Sequence, residues 1–341
     1  MLVPRLSVSL PYWQNRDPLD ALRVAEAADE LGYDRLWIGE MATFDAFALA
    51  TAIGRTPGIP LCLGPLAVPV RSPATIAMGV ASVAALTGRS VDIALGTSST
   101  VVVRNWHGRE RQRTARHLEE SARIVRALLN GEKAEYDGAA EHIHGFRLRL
   151  PAPAPELALA AFGDRALEVA ARTGDRVVLN LVTPAQVARC VAVVAEFAKA
   201  ADRPAPPTSV WVTAAVSPDA DMFATLRQGV VGYLRAPGYD AMFTEAGFGE
   251  TVALARGGAH PREVLAALPD ELPAAVGMFG TSEALAARLG AYYAAGADEI
   301  VVVPVTSIED PAGRRTLETL ADIAAVRGAR PNGFAGHSPL S

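Results

Sequence analysis

The feature that most constrains this 341-residue chain is an alternation of two kinds of segment. Short runs rich in β-branched residues are each followed by an Ala- and Leu-rich stretch with helical period. The runs are Leu6–Leu10, Arg35–Gly39, Leu61–Leu66, Val91–Leu95, Leu157–Ala161, Arg176–Leu181, Ser209–Ala215 and Ile300–Val303. Several of them, VVLNLV and IVVVPV for example, are apolar throughout. A strand of an antiparallel sheet with one wet face would alternate, whereas a parallel strand covered on both faces does not. Eight strand–helix units predict a (β/α)8 TIM barrel, with an open doubly wound sheet as the competing architecture.

The helical stretches carry their own punctuation. Pro18–Leu31 follows Asp17 and stops at Gly32; Pro73–Leu86 follows Ser72 and stops before Gly88. Thr114–Leu129 ends at Asn130-Gly131, Arg165–Thr173 at Gly174, and Ser282–Ala295 at Gly296. Pro184–Ala201 follows Thr183, and Pro311–Val326 follows Asp310. Small polar residues at starts and glycines at ends are the expected caps. Two segments exceed ordinary loop length. Gly131–Pro155 reads as a small hairpin with a stiff Pro-Ala connector, and Asp219–Gly280 as a mostly helical insertion after the seventh strand. The organisation expected is one barrel domain over 1–327, with insertions after strands four and seven at about 131–155 and 219–280, and a polar Gly/Pro-rich tail over 328–341.

The net charge of -5, with both signs interspersed, leaves no electrostatic footprint for nucleic acid or an anionic membrane. The two cysteines, Cys62 and Cys190, each lie in an apolar run, which favours a reducing compartment over a disulfide scaffold. The N-terminus MLVPRLSVSLPYW lacks the basic-then-apolar order of a signal peptide, and no apolar stretch reaches spanning length. A cytoplasmic protein is expected.

Three stretches carry a family resemblance: AEAADELGYDRLWIGE, RSPATIAMGVASVAALTGRSVDIALGTSS and GTSEALAARLGAYYAAGADEIVVVPV, supported by HLEESARIVRALLNGE. In this order and spacing the chain resembles the luciferase-like monooxygenase superfamily, especially its branch that uses coenzyme F420, a deazaflavin. The resemblance implies a TIM barrel that moves hydride, a cofactor of F420 or alternatively FMN, a small-molecule substrate, and a homodimer packed through barrel helices.

In such a barrel chemistry belongs just beyond the strand C-termini. At the fifth-strand end, Phe162, Gly163, Asp164 and Arg165 place a glycine where strand turns into helix, so backbone N–H groups can meet an anion there. The resemblance implies that the cofactor phosphate sits at this helix start; an ordinary tight turn capped by Asp164 is the plain alternative. Leu66, Ala67 and Val68 resemble the third-strand end that backs the ring, and the resemblance implies a non-proline cis peptide within them. Thr97 and Ser98, followed by Ser99, offer hydroxyls, and Asn180 interrupts an apolar run with an amide that needs partners. Cofactor binding is expected of them, with turn formation and backbone pairing as the blander readings.

Two residues are candidates for handling a proton, Glu40 and His107. Relatives carry an Asp-His-Phe-like run where this chain reads Gly39-Glu40-Met41-Ala42, so the histidine is gone and Glu40 is the nearest proton carrier. Set beside an apolar ring, its charged form would be disfavoured, as suits a general acid. His107 follows Trp106 in the loop after strand four. Tyr12, Trp13 and Trp106 are expected to shape the substrate pocket. The pair His142 and His144 has no third ligand nearby, so no metal site is expected. The basic run RERQRTAR (109–116) is either a solvated face or an attractor for the acidic tail of a deazaflavin.

A bound deazaflavin does the hard electronic work, which fits the absence of a nucleophile–base triad or paired-carboxylate motif. Hydride transfer between F420 and a small organic substrate is the leading expectation. An FMN-dependent two-component monooxygenase, a non-catalytic flavin-binding barrel and a metal-dependent hydrolase are the rivals.

Overall fold

The protein is described by a computed structural model covering residues 4–11, 14, 16–151 and 154–326. Tyr12, Trp13 and the 328–341 tail lie outside the described residues. The strands are β1 (Arg5–Ser9), β2 (Leu36–Ile38), β3 (Leu61–Ala67), β4 (Val91–Gly96), β5 (Lys133–Asp137), β6 (His142–Arg147), β7 (Leu157–Ala160), β8 (Arg176–Asn180), β9 (Thr208–Val216), β10 (Met278–Gly280) and β11 (Glu299–Pro304). One sheet runs β10-β9-β11-β1-β2-β3-β4-β7-β8, and a further β8–β9 pairing closes it. The eight parallel strands of the resulting barrel are those expected from the sequence, and the fold is a TIM barrel. Only β10 was not anticipated; it extends the sheet from the end of β9.

The apolar runs are explained by what each face meets. One set of strand residues, including Leu63, Ile93, Leu159, Val177 and Ile300, packs outward into the helical layer. The alternate set faces the barrel axis, where Trp37, Cys62, Ala94, Ala158, Val178, Trp211 and Val301 form an interior layer. Trp37 and Trp211 meet there edge to face, centroids 5.7 Å apart. Toward the strand N-termini the interior turns polar. Glu299, fully buried, accepts from Ser7 Oγ (2.5 Å), Ser209 Oγ (2.5 Å) and Trp37 Nε1 (3.1 Å). Arg35 joins Asp92 and Glu156, and Arg176 bridges Glu156 and Glu299. This network closes the end of the barrel away from the strand C-termini, where polar pairing serves stability.

The helices follow their expected bounds with three corrections. The first begins at Asp20, because Asp17 spends its carboxylate on the Leu19 N–H in a preceding turn. The last begins at Arg314, where Asp310 accepts from the N–H groups of Arg314 and Arg315. A helix the sequence reading omitted, Ala46–Gly54, follows β2 and is capped by Asp45 on the N–H groups of Phe47 and Ala48.

The segment 131–155 holds the expected antiparallel hairpin, β5 with β6. It follows a helix, not a strand, so it leaves from the end opposite the strand C-termini. Its turn then climbs the helix Thr114–Leu129: Glu120 accepts from the N–H groups of Ala139, Ala140 and Glu141. The second insertion follows β9, and its helices (Ala220–Val231, Tyr239–Phe243, Gly249–Arg256, Pro261–Ala266 and Glu271–Val276) form a small core around Leu234, Phe243 and Leu272. No helix among the described residues is long and apolar enough to cross a membrane.

Candidate functional site

Because all eight barrel strands are parallel, their C-terminal ends share one face, and the described candidates read from strand ends come to that face. The turn after β7 is its most open element. Gly163 holds φ 69° and ψ 155°, a conformation essentially restricted to glycine, and caps the helix Asp164–Thr173 with no side chain. An added Cβ there meets nothing within 4 Å, so the space beside the turn is open, and no side chain caps the first amides of the helix. Asp164 lies in the first helical turn and does not cap the helix, contrary to the cap expected in the plain alternative. Gly163, Asp164 and Arg165 are all exposed.

At β4, Thr97, Ser98 and Ser99 are half-buried. Ser98 takes a left-handed backbone, φ 53°. Ser99 Oγ accepts from Val102 N–H and starts a π-helical turn, Val101–Trp106, which carries Trp106 and ends at an exposed His107. Arg111 reaches back beneath this loop, donating from Nε to the Ser98 carbonyl (2.9 Å) and from Nη2 to Thr97 Oγ1 (3.3 Å). No carboxylate is paired with it among the described residues, and burial pushes its pKa below that of an ordinary guanidinium. A cation half-withdrawn from water with no counter-charge is poised to receive an anion. The basic run 109–116 therefore divides: Arg113 and Arg116 bond to the hairpin turn and to Glu120, whereas Arg111 belongs to the site.

The third-strand end corrects one expectation. The cis peptide is the Gly64–Pro65 bond, and none is found within Leu66–Val68. A prolyl bond loses most of the preference for trans, so it is the economical place for this bend. The register of β3 against β4 shifts between Leu63 and Leu66, and an added Cβ on Gly64 would run into the Ala94 carbonyl. Leu66 and Val68 are buried in the helical layer, which leaves Pro65 and Ala67 half-exposed at the mouth.

The expected setting of Glu40 is also corrected. It does not sit among apolar groups. Arg71, after β3, grips it through Nε (2.9 Å) and Nη2, and holds Asp45 as well while lying over the Phe47 ring. Both carboxylate oxygens of Glu40 are engaged, Oε1 also accepting weakly from Ala46 N–H at 3.4 Å.

Asn180, at the end of β8, spends its amide on a tyrosine: Nδ2 donates to Tyr239 Oη at 3.1 Å. Tyr239 is packed between Phe162 (4.6 Å between centroids) and Tyr233 (4.8 Å), so the second insertion lays an aromatic cover over the β7 and β8 ends. Sequence reading missed Arg71, Tyr233 and Tyr239, and named Arg111 only as part of the basic run 109–116. His142 and His144 lie on the exposed hairpin, with His144 between Glu135 and Asp137. Among the described residues no group of three or more ligating side chains is arranged for a metal.

The family model for luciferase-like monooxygenases matches residues 5–299. The chain belongs to that family. It is 25% identical over 297 residues to a 5,10-methylenetetrahydromethanopterin reductase from Methanolobus tindarius, covering 84% of this chain and 90% of that one. Among solved structures it resembles the coenzyme F420 dependent tetrahydromethanopterin reductase from Methanopyrus kandleri, with a TM-score of 0.78 at 18% identity over 95% of this chain and 99% of that one. It also resembles the oxygenating constituent of 3,6-diketocamphane monooxygenase from Pseudomonas putida, solved with FMN, with a TM-score of 0.67 at 17% identity over 95% and 99% of the two chains. Both likenesses are of fold, and one of these proteins is named for F420 and the other was solved with FMN.

Proposed function

We propose that this luciferase-like oxidoreductase transfers hydride between coenzyme F420 and a small organic substrate at the mouth of its barrel. The observation that carries the reading is the pair of anion-receptive groups at neighbouring strand ends: the open Gly163 turn after β7, and Arg111 beneath the β4 end with no carboxylate partner among the described residues. Their donors suit a phosphorylated cofactor with an acidic tail. Gly163, Asp164 and Arg165 would hold the phosphate, and Arg111 a second negative group. The half-exposed Pro65 and Ala67 of the β3 bulge, with Ser98, would back the ring.

When bound, the deazaflavin supplies a ring carbon, C5, that accepts or donates hydride. The protein binds and orients it, and the aromatic cover of Phe162, Tyr239 and Tyr233 excludes water on one side. Of the two proton carriers, Glu40 has both oxygens committed to Arg71, so we assign the proton to His107 and a positioning role to Glu40. Trp106, about half exposed beside His107, would cover the substrate, with Tyr12 and Trp13 assigned to the same pocket on the resemblance alone. A homodimer in a reducing cytoplasm completes the reading, and sedimentation of the purified chain checks the assembly state.

FMN carries a phosphate too, and the same turn would receive it, so an FMN-dependent monooxygenase is the second reading. Equilibrium titration of the full chain with F420 and with FMN separates the two. Micromolar or tighter binding of F420, weakened about tenfold or more in Arg111→Gln, is expected from loss of one charge-assisted contact. Binding of FMN alone would replace the first reading by the second.

A further inference from the structure

Across the barrel mouth from β3 and β4, a narrow cleft opens between the strand ends and the second insertion. Its floor comes from Asn180 after β8, Thr213 on β9, Val305 after β11 and Gln14 after β1. Its roof comes from the insertion, through Thr225, Leu226, Val230 and Tyr233. Among the described residues no Asp, Glu, Lys, Arg or His lines it. The contrast with the opposite side of the mouth, where Arg71, Glu40, Asp45 and Arg111 gather, is complete.

The few polar groups in the cleft are mostly spent. The Gln14 amide donates to the Pro304 carbonyl (2.9 Å) and accepts from the Thr306 N–H and hydroxyl. Asn180 is taken by Tyr239, and Thr225 Oγ1 donates to the Asp221 carbonyl. Thr213 and Tyr233 bring the remaining hydroxyls to the lining, that of Tyr233 also meeting the Asn180 amide. Burial pushes the Tyr233 pKa up, and the Asn180 amide only partly offsets this, so the group is a neutral phenol with a proton to donate at physiological pH. Leu181, the residue after Asn180, holds a left-handed backbone at φ 54° and lines the cleft as well. A bulky side chain in that conformation persists only where its surroundings fix it, and such outliers cluster at ligand sites.

We infer that this cleft receives the uncharged, mainly apolar part of the substrate, with the Tyr233 hydroxyl as a hydrogen-bond partner, while the reacting end lies toward the ring and His107. An anionic substrate finds no counter-charge here and would lose its hydration uncompensated. Calling the occupant a substrate rests on the oxidoreductase reading; the selectivity itself rests only on the lining.

The probes are nonan-2-one and nonanoate, matched in chain length and differing in charge, each titrated against the full chain by calorimetry and saturation-transfer NMR. The ketone is expected to bind at least tenfold more tightly than the acid. Thr225→Trp, which fills the cleft from a half-exposed helical position, should remove ketone binding, and Tyr233→Phe should weaken it about fivefold or more. Thr225→Lys, which tolerates that position whatever the bulk of Trp does to folding, should narrow or reverse the preference. Equal or tighter binding of nonanoate, binding of neither probe at millimolar concentration, or ketone binding indifferent to all three variants would overturn the inference. Cofactor titrations on the same samples keep the two claims apart. Ketone selectivity without binding of F420 or FMN would retain the cleft and remove the oxidoreductase reading; cofactor binding without selectivity would do the reverse.

Discussion

Glu120 holds the first insertion in place, and its replacement has a calculable consequence. Its side chain is fully buried, and three backbone N–H groups of the hairpin turn converge on it at 2.8 to 3.0 Å, with Arg116 Nε at 2.6 Å. Burial pushes the carboxyl up, but the N–H groups of Ala140 and Ala139, then Arg116 and Glu141, override it and bring the pKa from 4.5 down to about 2. A displacement of that size corresponds to about 3 kcal/mol. Arg116 lies on the solvent side, where screening leaves its pairing worth little, so we assign about 2 kcal/mol to the backbone donors. Glu120→Gln keeps one acceptor oxygen but turns an NH2 toward N–H groups, and should lose that amount. For a 341-residue chain unfolding as one unit, this lowers the Tm by about 3 °C. If the hairpin detaches alone, the loss shows as faster hydrogen exchange over 133–147.

The sign with pH follows from the depressed value. The contribution is full above the unfolded pKa of about 4.5 and is lost as pH falls toward about 2. The gap between wild type and variant should therefore be complete at neutral pH and mostly closed near pH 2.5, measured by calorimetry where both chains still fold. An unchanged Tm together with unchanged exchange at the turn, or a gap as wide in acid as at neutrality, would refute the reasoning. The clamp matters beyond the hairpin, because Arg113 also bonds the Ala139 carbonyl and lies two residues from Arg111.

Two further substitutions test other parts of the account. Gly163→Ala forces a side chain into a backbone region essentially closed to it, at about 1–3 kcal/mol, and should weaken cofactor binding more than Ala substitutions elsewhere in that helix; unchanged stability and affinity would contradict the role of the turn. Glu299→Gln should cost about 3 kcal/mol in denaturant unfolding, because Arg176 and Arg35 are left under-compensated in the barrel interior. Burial pushes the Glu299 carboxyl up, yet Arg35, Arg176 and the two serine hydroxyls bring it below its usual value, so this contribution too disappears in acid and not in base.

Much of the fold was legible because a parallel barrel strand is buried on both faces and writes a continuous apolar run. The helix Ala46–Gly54 was not read, since nine residues of nearly unbroken apolar sequence lack the polar face that marked the others, although Asp45 was a readable cap. At three residues, β10 is too short to carry a pattern. The site divides in the same way. The Gly163 turn is local, so chain order revealed it. Arg71 grips a carboxylate 31 positions away, Arg111 returns 14 positions to Thr97, and Asn180 meets a tyrosine 59 positions on. Those partnerships exist only after the barrel closes. The displaced cis peptide and the paired Glu40 are failures of another kind, in which a family pattern was laid on residues that differ from it.

The most direct test of the central claim is the structure of the full chain with bound F420. The account predicts a phosphate within hydrogen-bonding distance of the Gly163–Arg165 amides, a negative group against the Arg111 guanidinium, and the tricyclic ring resting on the β3 bulge at Pro65 and Ala67 with one edge open to the Tyr233 cleft. A cofactor seated elsewhere on the barrel, or a Gly163 turn left solvated while the phosphate binds another loop, would contradict it.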